Sequence, residues 1–232
     1  MADRVVIVTG GGRGIGRAVC VRFAGAGICV VPVARTSSEL EETARQVHAA
    51  GGNCRPIEAD VTERGDMDGV VARIRNERLG RVEVLVNAAG VAPLAPMNRL
   101  DPAVFETILA VNVRGVYHAC RAAWAELCRE GGVIVNVSSV AADDPFPGFS
   151  AYGASKAWVN AWSRSLAGEG RAAGVRVFSV APGAVETKML RDAFPNYPRE
   201  QTLSPSDVAE VIFALASPAC RYASGSVVHV RP

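Results

Sequence analysis

The sequence predicts an α/β fold, a single domain over residues 1–232 with a seven-stranded parallel sheet and helices on both faces. Short valine-rich runs alternate with longer stretches of helical pattern along the chain. The short runs are continuously apolar, as expected of parallel strands covered on both faces. With 232 residues, 49% of them hydrophobic, the chain can form one large core but leaves little length for a second domain.

The strands are predicted from the apolar runs, in chain order, at residues 5–8, 29–33, 54–59, 82–86, 133–137, 175–180 and 226–230. Pro32 falls inside the second run. Because proline has no N–H to donate to a ladder, we expect a bulge or an early end of pairing there.

The intervening stretches predict helices at residues 14–27, 38–50, 64–79, 102–129, 151–173 and 205–216. The last helix has a clear start, because Ser204 can cap it and Pro205 suits its first position.

Charge and composition exclude several classes of function. The net charge is +2 with both signs interspersed, so neither nucleic acid nor an anionic membrane surface is an expected partner. No apolar run reaches eighteen residues, and the N-terminus has no signal-peptide pattern, so we expect a cytoplasmic protein. The six cysteines are scattered and are expected to be reduced thiols. His48, His118 and His229 lack ligand spacing, so no metal is expected.

A glycine-rich loop follows the first predicted strand and opens the first helix. It reads Thr9-Gly10-Gly11-Gly12-Arg13-Gly14-Ile15-Gly16. Glycines let the main chain approach a pyrophosphate, and the helix N-terminus offers unpaired N–H groups. A tight turn would use the same residues, but the position within a βαβ unit favours a dinucleotide.

The end of the second strand predicts which dinucleotide is bound. An acid there would accept hydrogen bonds from the adenosine ribose, but the chain has Ala34-Arg35 instead. Arg35 can pair with a 2′-phosphate, and Arg13 could supply a second cation. Both arginines could also be solvated surface charges. The position favours NADPH over NADH.

Tyr152 and Lys156 are the residues that best indicate chemistry. Four residues apart on a helix, they share one face with a rise of roughly 6 Å between them. An ammonium beside a phenol favours the phenolate, and a tuned phenol can exchange a proton with a carbonyl or alcohol oxygen. The pair alone is common in helices, so its surroundings decide its meaning.

With these features, the chain resembles the short-chain dehydrogenase/reductase family and is close in pattern to its 3-oxoacyl-carrier-protein reductases. The glycine loop matches the family's Thr-Gly-x-x-x-Gly-x-Gly, and Ser139 precedes Tyr152 by the family's thirteen residues. The other matches are Asp60-Val61 for adenine, Asn87-Ala88-Ala89-Gly90 for Asn-Asn-Ala-Gly, Asn112 of the catalytic helix, and Pro182-Gly183-Ala184-Val185-Glu186-Thr187 at the nicotinamide. Each match has a plainer explanation, such as a helix bend at Asn112 or an ordinary turn at Pro182.

The resemblance implies hydride transfer between a nicotinamide and a carbonyl carbon. Tyr152 would exchange the proton, Lys156 would lower the pKa of the phenol and bind the nicotinamide ribose, Ser139 would hold the substrate oxygen, and Asn112 would anchor a water chain. The implied cofactor-binding set is Gly10, Gly12, Arg13, Gly14, Ile15, Gly16, Arg35, Asp60, Val61, Asn87, Ala88, Gly90, Tyr152, Lys156, Pro182, Gly183, Val185 and Thr187.

The sequence says less about the substrate. A short lid is expected at residues 188–204, where Phe194 and Tyr197 could build an apolar wall or simply belong to a surface loop. Phe146 and Phe149 would form the opposite wall. The short lid and the tail, which lacks the relatives' glycine-rich ending, argue against an acyl-carrier-protein substrate.

Three functions therefore stay open. The first is ketone reduction with NADPH, on a 3-oxoacyl thioester or a related small ketone. The second is NAD(P)-dependent oxidation of a sugar, polyol or other alcohol, and the third is a non-catalytic NADP-binding sensor. The family pairs helices 102–129 and 151–173 between subunits, which implies a homodimer or homotetramer, although Trp158 and Trp162 could instead pack within one subunit.

Overall fold

The computed structural model describes residues 4–232 and contains one sheet of seven parallel strands in the order β3-β2-β1-β4-β5-β6-β7. The strands are β1 (Arg4–Thr9), β2 (Cys29–Ala34), β3 (Ile57–Glu58), β4 (Arg81–Asn87), β5 (Val133–Val137), β6 (Arg176–Pro182) and β7 (Val227–Val230). The predicted fold class is confirmed. The strand order reverses at β1 and β4, and ligands of open parallel sheets bind outside the carboxyl ends of the strands at such a point.

Eight α-helices occur among the described residues, at α1 (Gly14–Ala24), α2 (Ser37–Ala49), α3 (Arg64–Asn76), α4 (Pro102–Leu109), α5 (Gly115–Cys128), α6 (Ser150–Gly170), α7 (Lys188–Ala193) and α8 (Pro205–Ala216). The single helix predicted at residues 102–129 is divided in two by a π-helical turn over Ala110–Arg114. α7 was not predicted, because six residues inside a proline-containing lid carry too little periodicity.

The sheet separates two apolar cores. Along β1, Val5 and Ile7 face the core beneath α3, α5 and α6, whereas Val6 and Val8 face the core beneath α1 and α8. All four side chains are at most 1% exposed. Burial of such a side chain contributes about 1.5–3 kcal/mol, so a strand with two covered faces favours valine at every position.

Pro32 interrupts pairing on one side of β2 only. Towards β1 the register is continuous, and Pro32 pairs with Val8. Towards β3, Val30 bridges to Cys54 and pairing resumes only at Val33 and Ala34. Since the N–H and C=O of Val30 both point to the β3 side, the missing N–H of Pro32 falls on that side too. The predicted interruption is thus a gap in the β2–β3 ladder rather than a bulge.

None of the helices within residues 4–232 combines the length and the apolar character that crossing a membrane would require.

Candidate active site

The predicted site residues gather at the carboxyl edge of the sheet. The glycine loop follows β1, Arg35 follows β2, Asn87 ends β4, Ser139 lies just beyond β5, and Pro182 ends β6. α6 crosses this edge and carries Tyr152 and Lys156. Residues far apart in sequence therefore share one cleft, as the parallel topology requires.

Two hydrogen bonds hold Lys156 in place. Its Nζ donates a 2.8 Å hydrogen bond to the carbonyl oxygen of Val137, and Ser138 Oγ donates to the backbone carbonyl of Lys156 over 3.1 Å. A methyl group built on Gly90 would lie 3.5 Å from Nζ and 3.4 Å from Asn112 Oδ1. Because this space is kept open by a glycine, the ammonium borders a small gap beside the loop after β4.

Lys156 is buried and Tyr152 is half-buried, and the loss of solvent around both groups dominates their ionisation. Burial lowers the pKa of Lys156 to about 8. Burial raises the pKa of Tyr152, and a hydrogen bond with the Ser139 side chain offsets part of that rise. Lys156 Nζ lies 5.9 Å from the Tyr152 ring centroid and donates to the Val137 carbonyl, and the expectation that it lowers the pKa of the phenol stays a prediction.

Asn112 is buried within the π-helical turn and is fully bonded through its side chain. Its Oδ1 accepts from the N–H of Val91, and its Nδ2 donates to the Val91 carbonyl and to Ser155 Oγ, over 2.9–3.0 Å. Ser155 in turn donates to the Tyr152 carbonyl over 2.6 Å. The side chain of Asn112 therefore ties the loop after β4 to the Tyr152 turn of α6. The helix is irregular at Asn112, as the plainer interpretation expects, and the anchoring of a water chain stays a prediction. Sequence analysis missed Ser155, although it stands between Tyr152 and Lys156.

The glycine loop forms a close-fitting cradle. A methyl group on Gly10 would lie 2.7 Å from the Ala89 nitrogen, and one on Gly11 would lie 2.6 Å from Pro32 Cβ. A methyl group on Gly16 would lie only 2.2 Å from the Gly10 carbonyl oxygen. Gly10 and Gly14 also have positive φ angles of 67° and 53°. The glycines thus bring the main chain against its neighbours and leave the first turn of α1 accessible, an arrangement that fits a pyrophosphate.

Both arginines predicted to read a 2′-phosphate are engaged in ion pairs. Arg35 Nη1 lies 3.5 Å from Asp60 Oδ2, and Arg13 Nη1 lies 3.1 Å from Glu39 Oε1. The side chains of Arg35 and Arg13 are 66% and 56% exposed, so both cations can reorient towards a ligand at modest cost.

A polar network that the sequence analysis did not find clamps the glycine loop to α2. The buried Oγ1 of Thr43 lies 2.9 Å from the Gly11 carbonyl and 3.2 Å from the Gly12 carbonyl. Arg17 Nε donates to Thr43 Oγ1 over 3.1 Å, and Arg17 Nη2 donates to the Gly12 carbonyl. These side chains hold the two loop carbonyls towards α2. The one available signal was a threonine at a buried position of an amphipathic helix.

Asp60 and Val61 have different environments. Burial alone would raise the pKa of Asp60, but hydrogen bonds from Thr62 and the nearby Arg35 guanidinium bring it below its usual value. Val61 is buried against Gly115 of α5, and its carbonyl oxygen lies 3.1 Å from His118 Nδ1. The pair therefore offers a cleft-side carboxylate and a backbone anchor, and His118 holds that backbone.

Asn87 belongs to a buried polar network beneath the cleft. Its Nδ2 donates to Asn136 Oδ1 over 2.8 Å, and Asn136 Nδ2 donates to Ser163 Oγ over 2.8 Å. The backbone N–H of the adjacent Ala88 donates to the Thr9 carbonyl. These contacts join β1, β4, β5 and α6, so Asn87 supports the site from below.

The segment from Pro182 to Thr187 forms the other side of the cleft. A methyl group on Gly14 would touch Thr187 Cγ2 at 3.3 Å, so Thr187 lies over the first turn of α1. Thr187 also caps α7 by accepting from the Leu190 N–H. The N–H of Gly183 donates to the carbonyl of Val230, and Val185 is buried and bridges to Leu203.

The lid is fastened by a residue that the sequence analysis missed. Arg191 pairs through two nitrogens with Glu186, and its Nη1 donates to the carbonyls of Tyr197 over 2.6 Å and Pro195 over 3.3 Å. Its side chain is only 23% exposed. Arg191 therefore ties Glu186, just before the segment predicted to be a lid, to Pro195 and Tyr197 in the middle of that segment.

The two predicted walls meet in a chain of aromatic rings. The Phe149 ring centroid lies 5.1 Å from that of Tyr152, 5.8 Å from Phe194 and 6.3 Å from Phe146, and Phe194 contacts Tyr197 at 6.4 Å. Edge and tilted contacts at these separations stabilise one another. Phe194 and Tyr197 therefore belong to an apolar wall next to Tyr152, not to a plain surface loop.

The sequence left open whether Trp158 and Trp162 pack within one subunit. In the structure they pack against other residues of the same chain. The rings of Trp158 and Trp162 stack at 5.2 Å, and Tyr117 meets Trp162 edge-on at 6.1 Å. Both tryptophans lie against the core beneath α3, α5 and α6, while Tyr117 is 41% exposed.

Within residues 4–232, His, Cys, Asp and Glu side chains form no group of three or more that could hold a metal ion.

Comparison with known proteins identifies the family that the chain matches. The family described as short chain dehydrogenase matches residues 4–198 of the chain. The chain is 35% identical to 2-(R)-hydroxypropyl-CoM dehydrogenase of Xanthobacter autotrophicus, over 97% of this chain and 96% of the relative. It is 32% identical to 3-oxoacyl-[acyl-carrier-protein] reductase FabG of Thermotoga maritima, over 99% and 97%. The chain also superposes on the crystal structure of levodione reductase with a TM-score of 0.92 and 27% sequence identity. The match covers 100% of this chain and 97% of that chain.

Proposed function

The chain belongs to the short-chain dehydrogenase family, an oxidoreductase family that uses nicotinamide cofactors, and on that premise we propose that it is an NADPH-dependent carbonyl reductase. One observation carries the proposal. The Ser139 side chain lies close enough to the Tyr152 phenol to lower its pKa, Lys156 lies on the same helix face as Tyr152, and the glycine cradle opens onto the same cleft.

Tyr152 acts as the proton donor in this proposal. Because burial raises its pKa, the phenol stays protonated at neutral pH and can give its proton to a carbonyl oxygen that gains negative charge. Ser139 Oγ, close to the same phenol, orients the substrate oxygen and stabilises that charge. A nicotinamide bound in this cleft would supply the hydride.

Lys156 contributes a positive charge near the phenol and a hydrogen-bond donor for the cofactor. Its ammonium, held by the Val137 carbonyl, can donate a further hydrogen bond towards a ribose hydroxyl at the gap beside Gly90. Asn112 fixes the loop that borders this gap. The positions of several other residues around the cleft support the proposal that they bind the cofactor. These are the glycine loop, Arg35, Asp60, Asn87, Ala88 and the Pro182–Thr187 segment.

The aromatic wall supports a small, uncharged ketone as the substrate. Phe149, which is 7% exposed, lies between Tyr152 and Phe194 and presents apolar surface next to the proton donor. The lid cations are already paired, Lys188 with Asp192 and Arg191 with Glu186. An anionic substrate would compete with Asp192 or Glu186 for these cations, whereas an apolar ketone would not.

The test is oxidation of NADPH, followed spectroscopically, against a panel of cyclic and aromatic ketones, acetoacetyl thioesters and, in reverse with NADP⁺, alcohols and polyols. Reduction of the apolar ketones is the expected result. Turnover confined to alcohols would favour the second function, an alcohol dehydrogenase. The relative from Xanthobacter autotrophicus is named as a dehydrogenase. Tight NADPH binding without turnover on any compound would favour a sensor.

We further propose a cytoplasmic homodimer or homotetramer. Four of the six cysteines, Cys20, Cys29, Cys54 and Cys120, are buried in the core as small apolar side chains, which suits a reducing compartment. The exposed rings of Phe105 on α4 and Tyr117 on α5 offer apolar surface to a second subunit. Light scattering at micromolar concentration measures the mass directly.

A further inference from the structure

The carboxylate of Glu39 lies on the wall of the cleft where the adenosine ribose of a dinucleotide binds. In the dinucleotide fold that ribose meets the glycine loop and the end of β2. A methyl group built on Gly12 would lie 3.2 Å from Glu39 Oε2 and 3.3 Å from Ala34 Cβ. Glu39 therefore occupies the space between these two elements, although it comes from the first turn of α2.

Glu39 is held there by several contacts. Its Oε1 lies 3.1 Å from Arg13 Nη1, and its backbone carbonyl oxygen lies 3.0 Å from Thr43 Oγ1 and 3.3 Å from Arg17 Nη2. The Thr43 and Arg17 side chains also grip the carbonyls of the glycine loop. The position of the carboxylate is thus fixed relative to the loop that receives the cofactor.

The charges around this part of the cleft are balanced rather than positive. Arg13 is neutralised by Glu39, and Arg35 by Asp60. A carboxylate can accept hydrogen bonds from ribose hydroxyls but repels a 2′-phosphate, and it competes with that phosphate for Arg13. Both effects act against NADP(H) and for NAD(H).

We infer that Glu39 is a specificity-determining residue of the cofactor site, one that restrains binding of the 2′-phosphate and keeps NAD(H) usable. The inference rests on the proposed function, because it concerns the same cleft and the same cofactor. The side chain is 30% exposed, so its removal changes local charge without opening the core.

The experiment measures dissociation constants by titration calorimetry for NADP⁺ and NAD⁺, and for the fragments 2′,5′-ADP and 5′-AMP, with Glu39→Gln beside the wild type. The substitution removes the charge but keeps the shape. We expect it to tighten NADP⁺ and 2′,5′-ADP about tenfold relative to NAD⁺ and 5′-AMP, as expected for one unit charge near a phosphate at a partly exposed site.

Glu41→Gln is the matched control. Glu41 lies two residues along the same helix and accepts a hydrogen bond from Ser37 Oγ at 3.4 Å, so the same loss of charge falls away from the glycine loop. We expect this variant to change the NADP⁺ to NAD⁺ ratio by no more than about twofold. Glu39→Ala provides a second variant if the glutamine protein does not fold, which circular dichroism checks.

An unchanged ratio in a folded Glu39 variant, or an equal change in Glu41→Gln, overturns the inference. This outcome is distinct from failure of the proposed function. If wild-type protein binds neither dinucleotide, the proposed function fails, whereas binding of both with a ratio insensitive to Glu39 refutes only the role of this residue.

Discussion

The Nζ atom of Lys156 lies 5.9 Å from the ring centroid of Tyr152, and its hydrogen bond goes to Val137 rather than to the phenol. Burial moves the two pKa values in opposite directions, down for the lysine and up for the tyrosine. At neutral pH the pair therefore consists of a protonated phenol and an ammonium close to its titration range. A phenol in this state donates a proton without first being ionised.

This relationship predicts how ketone reduction depends on pH. The pKa of Lys156 is about 8 instead of the usual 10.5, so the ammonium is lost as pH rises through 8. If that charge is needed, kcat/KM for ketone reduction falls about tenfold per pH unit above 8, while the phenol remains protonated. Steady-state rates between pH 6 and 10 measure this fall, the alkaline limb of the pH profile.

Lys156→Arg is the control for that assignment. A guanidinium stays charged throughout this range, so the variant, at whatever activity it keeps, should lose the falling limb. A limb at the same pH in the arginine variant would assign it to another group.

The glycine cradle predicts a strong effect of one added methyl group. In Gly16→Ala the new Cβ would meet the Gly10 carbonyl oxygen at 2.2 Å, so the loop must shift. We expect a loss of about 1–3 kcal/mol in the free energy of unfolding, together with weaker NADP⁺ binding. Urea denaturation and calorimetry measure the two.

Gly69→Ala serves as the comparison, because Gly69 lies within α3 and, apart from the backbone of that helix, no described residue has a heavy atom within 4 Å of the added Cβ. There alanine should be neutral or stabilising by up to about 1 kcal/mol. Similar behaviour of the two variants would contradict the close fit of the loop.

Arg35 predicts the direction of a cofactor switch. Arg35→Asp removes the cation that can reach a 2′-phosphate and places a second carboxylate beside Asp60. We expect the ratio of NADPH to NADH affinity to fall at least about tenfold. Arg45→Asp, a comparable change at an exposed ion pair with Glu42, should leave the ratio unaltered, and an unaltered ratio in Arg35→Asp would remove Arg35 from the site.

The contacts of Arg191 predict a lid that can be loosened selectively. Arg191→Lys cannot keep the paired contact with Glu186 or reach both carbonyls at once. We expect the KM for ketone to rise about tenfold, NADP⁺ affinity to stay within about twofold, and limited proteolysis within residues 188–201 to accelerate. Lys188→Arg, at the exposed pair with Asp192, should change none of these, and an unchanged KM in Arg191→Lys would show that the lid does not depend on this residue.

Local signals in the sequence predicted most of the fold. The strand at residues 133–137 and the helix at 205–216 occur with the predicted bounds, because valine runs and the Ser204-Pro205 start are strong local signals. The π-helical turn was not predictable in this way, since Asn112 distorts the helix through bonds to Val91, twenty-one residues away.

The site was predicted as residue types rather than as contacts. Motif spacing brought Ser139, Tyr152 and Lys156 to one cleft, but the sign of the tyrosine pKa shift depends on burial, which spacing does not report. Glu39 and Thr43 were missed for a related reason. They meet the glycine loop only because α2 packs against it, and one polar residue on a helix carries no signal of such a contact.

The most direct test of the proposed mechanism is the turnover of Tyr152→Phe on a ketone that the wild type reduces, measured beside its NADPH dissociation constant. Phenylalanine keeps the ring contact with Phe149 and removes only the hydroxyl that donates the proton. The proposal predicts a loss of at least about 10²–10⁴-fold in kcat, with NADPH affinity within about threefold of wild type. Wild-type turnover in this variant would contradict it.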